Sequence, residues 1–246
     1  MTAPSPDSDT TPTIVLVHGA FAESASWNGV VPELQRRGYP VVALANPLRG
    51  LRSDATYLRS YLDSVEGPVV LAGHSYGGVV MSEAAEGAAG VTALVYLASF
   101  TLEVGESANE LSSKFPGAKL GTAAQPVPFV TGEGSGADVY IDQSRFHEVF
   151  AADVPSDTAR LMAATQRPIA AAALDEPATK AAWRTIPSWT LIATQDLAIP
   201  AESQRFMAER AQSHTVEIDA SHAVTVSQPV AVADLIDAAA RGVTDV

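Results

Sequence analysis

No cysteine occurs in the 246 residues, which excludes disulfides, thiolate metal ligands and cysteine nucleophiles. Basic residues are few: 15 Lys and Arg face 28 Asp and Glu, a formal net charge of −13. Nucleic-acid binding needs clustered Lys and Arg on phosphates, and an anionic membrane surface repels an acidic chain. Neither partner is expected, and the charge is read as serving solubility. No run of about 18 apolar residues is present to span a bilayer. The first stretch, "MTAPSPDSDTTPT", has no basic residue and no apolar run. No secretory signal is read there, so a cytoplasmic location is expected. Lysine is much rarer than arginine and alanine is abundant, a composition that suggests a GC-rich bacterial genome.

What is present is an alternation of short apolar runs and helical patterns after a polar stretch at 1–11 that reads as a disordered tail. "TIVLVHG" (13–19), "PVVALAN" (40–46), "PVVLAGH" (68–74) and "VTALVYLASF" (91–100) read as buried strands. Between them, 26–38, 52–65 and 76–87 carry helical spacing, with Ser26 a candidate cap and Gly38 a stop for the first. Residues 101–187 break the rhythm, with Pro and Gly scattered among short helix-like pieces such as "SDTARLMAATQ" and "PATKAAW". They read as an inserted cap rather than more sheet. Strand and helix alternation resumes at 188–196, 201–211, 214–219 and 229–242. The expected fold class is α/β: a mostly parallel, doubly wound sheet of about six strands. The core comprises 12–100 and 188–246. Right-handed crossovers place the strands' C-terminal ends on one rim, where such sheets bind ligands.

The chemistry gathers at that rim. Gly73-His74-Ser75-Tyr76-Gly77 satisfies G-x-S-x-G between a strand and a helix, the context of a nucleophile elbow. A serine hydroxyl needs a base. His18 and His74 sit in strand-end turns and read as structural, His147 falls in the cap, and His214 begins a strand. His222 lies in "IDASHAVTVSQP", between the last strand and the last helix, and follows in the order serine, acid, histidine. Asp196, ending "WTLIATQD", is the leading acid to orient it. Asp219 and Glu103 are the alternatives. For an oxyanion hole, the N–H of Tyr76 is one donor. "HGAF" (18–21) offers the N–H of Ala20, with that of Phe21 as the alternative.

Phe21, Trp27, Phe100, Phe129, Tyr140, Phe146 and Trp183 are candidates to line an apolar pocket. A free-acid substrate could use one of the cap's Lys114, Lys119, Arg145, Arg160, Arg167, Lys180 or Arg184, and nothing selects which. No metal and no cofactor is implied. The oligomeric state stays open, with a homodimer as one option.

"VLVHGAF", "GHSYGG", "VYLASF", "TQDLAIPAESQ" and "SHAVTVSQP", in this order, resemble the α/β-hydrolase superfamily over nearly the whole chain after residue 12. Within it, the chain is most similar to the branch of plant methyl esterases and hydroxynitrile lyases. The resemblance implies Ser75, Asp196 and His222 as a catalytic triad and the N–H groups of Ala20 and Tyr76 as the oxyanion hole. It also implies departures. The hydroxynitrile lyases carry a Lys after the histidine and a Thr in the oxyanion loop, where this chain has Ala223 and His18-Gly19-Ala20. Relatives that cleave epoxides or carbon–halogen bonds use an Asp where Ser75 stands. The expected activity is hydrolysis of small carboxylic esters through an acyl-enzyme. Lactone, amide or carbon–carbon bond hydrolysis and perhydrolysis are alternatives on the same triad. A small-molecule sensor on the same fold is the rival from another class, against which the intact Ser, Asp and His weigh.

Overall fold

The computed structural model describes residues 11–131 and 134–242. The expected tail therefore lies, except for Thr11, outside the described residues. In chain order the first half comprises β1 (Thr13–Val17), α1 (Val30–Arg36), β2 (Val41–Leu44), α2 (Leu51–Leu62), β3 (Val69–His74), α3 (Tyr76–Ala85) and β4 (Val91–Leu97). Next come α4 (Ala108–Ser113), β5 (Ala124–Thr131), β6 (Gly134–Ile141), α5 (Gln143–Phe150), α6 (Ser156–Thr165), β7 (Ile169–Ala170) and α7 (Ala171–Asp175). The chain closes with β8 (Ser188–Ala193), α8 (Ala201–Arg210), β9 (His214–Ile218), α9 (Val224–Ser227) and α10 (Pro229–Ala240).

All six expected core strands form one parallel sheet, in the order β2-β1-β3-β4-β8-β9. Successive side chains of a strand point to opposite faces, so apolar runs bury both. Val15, Leu71 and Tyr96 enter the core beneath α2 and α3, whereas Ile14, Val70 and Val95 enter the one beneath α1 and α10. Both faces are thus closed to water, as a parallel sheet requires.

Three expectations need correction. The helix expected over 26–38 begins only at Val30, because Ser24–Trp27 forms a tighter 3₁₀ turn. The segment between β4 and β8 holds a sheet of its own, antiparallel and ordered β5-β6-β7. Pro126 and Pro128 disguised its first strand. They lie two residues apart on an edge strand, facing Val139 and Ala137 of β6. There a missing N–H costs no ladder bond when it points outward. The helix expected from "PATKAAW" shrinks to one 3₁₀ turn at Ala182–Arg184.

The segment is tied to the sheet layer by buried polar contacts. Glu83 of α3, 4% exposed, accepts from the amides of Thr179 (2.9 Å) and Lys180 (3.0 Å) and from the Thr179 hydroxyl. Glu176 returns the contact, accepting from the Leu51 amide (2.7 Å) at the start of α2. No helix among the described residues is long and apolar enough to cross a membrane.

Candidate active site

Ser75 occupies the single-residue turn between β3 and α3, at φ 54° and ψ −127°. A non-glycine residue at positive φ costs about 1–3 kcal/mol and persists only where its surroundings hold it. Here they do. The Ser75 amide donates to the Leu97 carbonyl (3.2 Å), and its carbonyl accepts from the Gly78 amide (3.0 Å) and the buried Ser99 hydroxyl (2.6 Å). The glycines of the motif permit the close approach. A Cβ on Gly73 would lie 2.6 Å from the Gly78 Cα, and one on Gly77 would collide with the Val17 carbonyl oxygen. Across the turn, a Cβ on Gly19 would lie 2.6 Å from that of Ser75, so the loop after β1 runs directly beside the serine.

His222 and Asp196 meet although they come from different loops. His222 Nδ1 lies 2.7 Å from Asp196 Oδ2, and both side chains are buried. Asp196 is held by three further donors. Its Oδ1 accepts from the amides of Ala198 (2.7 Å) and Ile199 (2.9 Å), and its Oδ2 from Gln204 Nε2 (2.9 Å). A carboxylate engaged by donors only accepts, so the Nδ1 of His222 carries the proton. The Nε2 lone pair is left as the basic position. Gln204 is fixed in turn, donating to the Ile199 carbonyl (2.8 Å) and accepting from the Ala193 amide (3.1 Å). The "Q" of "TQDLAIPAESQ" is therefore a partner of Asp196, a function that spacing alone did not reveal.

The alternative acids, Asp219 and Glu103, have other partners. Glu103 accepts from the Val104 amide (2.7 Å) and Arg184 (3.1 Å), while Asp219 faces Thr194 (3.5 Å). The other histidines have structural partners. His18 Nε2 accepts from the Asn46 amide (2.9 Å) and its Nδ1 contacts the Gly19 carbonyl (2.9 Å). Burial pushes His18 down to about 4. His74 Nε2 donates to the His222 carbonyl (2.8 Å), and burial, then the neighbouring His222, push it down to about 3. His147 donates to the Val154 carbonyl (2.9 Å), and the His214 ring stacks 5.1 Å from Trp189.

Of the two amides considered in the loop after β1, Phe21 is already engaged with the Arg167 carbonyl (2.9 Å). The amides of Ala20 and Tyr76 make no backbone hydrogen bond among the described residues. The Tyr76 hydroxyl points away into α2, donating to buried Asp54 (3.2 Å).

Ser75, His222, Ala20 and Tyr76 open on one cavity of about 320 Å³. Of the aromatic candidates, Phe21 and Phe100 line it. Trp27 does not: it is fully buried in the core on the other side of the sheet. Phe146 is also fully buried, 4.9 Å from the Phe150 ring. Phe129 sits under Arg49 (5.8 Å), Tyr140 lies on β6 facing Gln125, and Trp183 donates to the Leu102 carbonyl (2.7 Å). None of the segment's seven basic residues lines the cavity either; three of them, Arg145, Arg160 and Arg184, pair with Glu148, Asp157 and Glu103 on the surface. Among the described residues, no three His, Asp or Glu side chains converge as a metal-binding group.

The model of the alpha/beta hydrolase family matches residues 14–235. This chain belongs to that family. Among similar proteins, a probable hydrolase, R7, of Phoma sp. is 29% identical over 92% of this alpha/beta hydrolase and 97% of its own length. That fungal source gives no support to the bacterial origin suggested by composition. The fold matches polyneuridine aldehyde esterase with a TM-score of 0.79 at 20% identity, covering 92% of this chain and 98% of that one. A pyrethroid hydrolase from Sphingobium faniae JZ-2 matches with a TM-score of 0.76 at 26% identity, over 94% and 98%. This alpha/beta hydrolase is thus a hydrolase by family.

Proposed function

We propose that this hydrolase cleaves small carboxylic esters through a covalent acyl-serine. The observation that carries the reading is that Ser75 and His222 face one cavity while the Nδ1 of His222 is bound to Asp196. His222 Nε2 takes the Ser75 proton as Oγ bonds to the ester carbonyl carbon. The carbonyl oxygen becomes an oxyanion and accepts from the free amides of Ala20 and Tyr76. Collapse breaks the bond to the alcohol oxygen, and His222 returns its proton to that oxygen. Water, deprotonated by His222, then attacks the acyl carbon. The second collapse releases the carboxylic acid and restores Ser75. Residues 101–187 act as the cap that shapes the cavity over a core of 12–100 and 188–246.

Removal of a serine nucleophile costs several orders of magnitude in turnover. The test is hydrolysis of a panel of alkyl and aryl esters by the wild type and Ser75→Ala, with phosphonate labelling read by mass spectrometry. A covalent adduct on Ser75 and loss of turnover in Ser75→Ala are expected. Unchanged turnover in that variant, or the absence of an adduct, overturns the mechanism.

A further inference from the structure

The cavity beside Ser75 has a chemical polarity of its own. Apart from Ser75, Tyr76 and His222, its buried lining is apolar, with Ala20, Phe21, Phe100 and Ile199, and the half-buried Leu120 and Leu174 add to it. No Asp, Glu, Lys or Arg lines it among the described residues, and its titratable groups are His222 and Tyr76 alone. The Tyr76 phenol is raised by burial and by the Asp54 charge, so it stays neutral. A carboxylate entering this space would lose its hydration, meet no cation and feel the −13 charge of the whole chain. An ammonium would meet no carboxylate in the lining.

The mouth differs. It comprises the polar lining residues open to solvent: Asn109 and Ser113 of α4 and Thr122 are exposed, and Ser112 of α4 is half-buried. Each of these hydroxyls has one proton, and each proton is already donated to the backbone. Ser112 and Ser113 donate to the Asn109 carbonyl (3.0 and 2.8 Å), and Thr122 to the Lys119 carbonyl (2.7 Å). Asn109 spends one amide N–H on Asp175 (2.6 Å). The hydroxyls therefore keep only lone pairs to offer, and the mouth is rich in acceptors.

We propose that the substrate is an uncharged ester with an apolar body and a hydrogen-bond donor, such as a hydroxyl, at the end remote from the carbonyl. The proposal rests on the reading of Ser75 as nucleophile, because that residue sets which end of the cavity holds the ester. The carbonyl sits beside Ser75, the body lies between Phe21 and Phe100, and the distal donor reaches the lone pairs of Ser112 and its neighbours.

The test uses three methyl phenylacetates that differ only at the ring's 4-position: hydroxyl, methyl and carboxylate. Two readouts are taken: kcat/KM with the wild type, and calorimetric affinity for Ser75→Ala, which needs no turnover. A neutral hydrogen bond near solvent contributes about threefold to tenfold in affinity. The hydroxyl ester is therefore expected to lead the methyl ester by that factor, and the carboxylate ester, which sets its oxygens against the lone pairs of the mouth, to fall at least about tenfold behind the methyl ester. Ser112→Ala is expected to bring the ratio of hydroxyl to methyl ester toward one. Equal affinity of the carboxylate and methyl esters, or a hydroxyl preference that survives intact in Ser112→Ala, overturns the proposal. Failure of the serine mechanism shows separately, as wild-type turnover without a Ser75 adduct, and leaves the calorimetric ranking readable.

Discussion

The ring of Phe150 stands 4.9 Å from the imidazole of His222, at an interplanar angle of 72°. The backbone repeats the contact, since the Phe150 carbonyl accepts from the Ala223 amide (2.9 Å) and the Ser221 hydroxyl (3.3 Å). Asp153, three residues further on, accepts from Ser221 as well. His74 also packs its ring 4.8 Å from that of His222, and 6.3 Å from that of Phe150. The imidazole is thus flanked by the elbow and by the end of α5, which belongs to the segment between the two halves of the sheet. That segment packs against His222 besides lining the cavity.

Phe150→Leu keeps the volume apolar but removes the flat face against His222. Small misplacement of a catalytic group costs about tenfold to a hundredfold. The expected result is a fall in kcat of that size with KM little changed, measured by steady-state kinetics beside a thermal melt. Loss confined to KM would assign Phe150 to substrate binding instead.

Gln204→Leu removes a donor from Asp196 and leaves the Ala193 amide without its acceptor. Buried groups left unpaired cost about 1–3 kcal/mol each. Urea denaturation should register a loss in that range, and kcat should fall more than KM rises. Gln204→Glu should cost more, because it sets a second carboxylate against Asp196.

His74 supplies a pH dependence. Its folded value is about 3 against an ordinary 6.5, because burial disfavours the charged ring. A depressed basic group contributes stability that is complete above 6.5 and is lost as pH falls toward about 3. His74→Gln retains a donor for the His222 carbonyl and cannot titrate. Denaturant midpoints taken from pH 7 down to pH 4 should decline more steeply in the wild type than in this variant. Parallel declines would show that His74 is not the group responsible.

Gly77→Ala tests the elbow's packing. The new methyl would meet the Val17 and His18 carbonyl oxygens at the end of the adjacent strand, and these are backbone atoms that cannot rotate away. Overpacking of this kind costs about 1–3 kcal/mol or more. A lowered urea midpoint is expected together with lost turnover, since Ser75 would move with the turn. Gly121→Ala, where an added Cβ meets nothing within 4 Å, serves as the control and should leave stability nearly unchanged.

Much of the site was legible in the chain because its signals are local. A strand's apolar alternation and the glycines around Ser75 operate within a few residues. The order of Ser75, Asp196 and His222 along a parallel sheet puts all three on one rim. What escaped notice was carried by contacts distant in sequence. Trp27 and Phe146 looked like pocket residues because an aromatic near the rim carries no mark of which side it faces. Gln204 looked like a helix residue until Asp196 was seen 2.9 Å away. The strand β5 was masked by prolines that an edge tolerates.

The sequence alone determined the layered parallel sheet, the turn that carries Ser75 and the candidate partners, because strand periodicity, turn sterics and chain order are short-range or topological constraints. Tertiary structure decided which amide beside Ser75 is free, which aromatics face the cavity, and that α5 clamps His222. Those outcomes depend on how the segment between β4 and β8 packs back on the sheet. That packing is a sum of contacts between residues tens of positions apart, which no local pattern encodes.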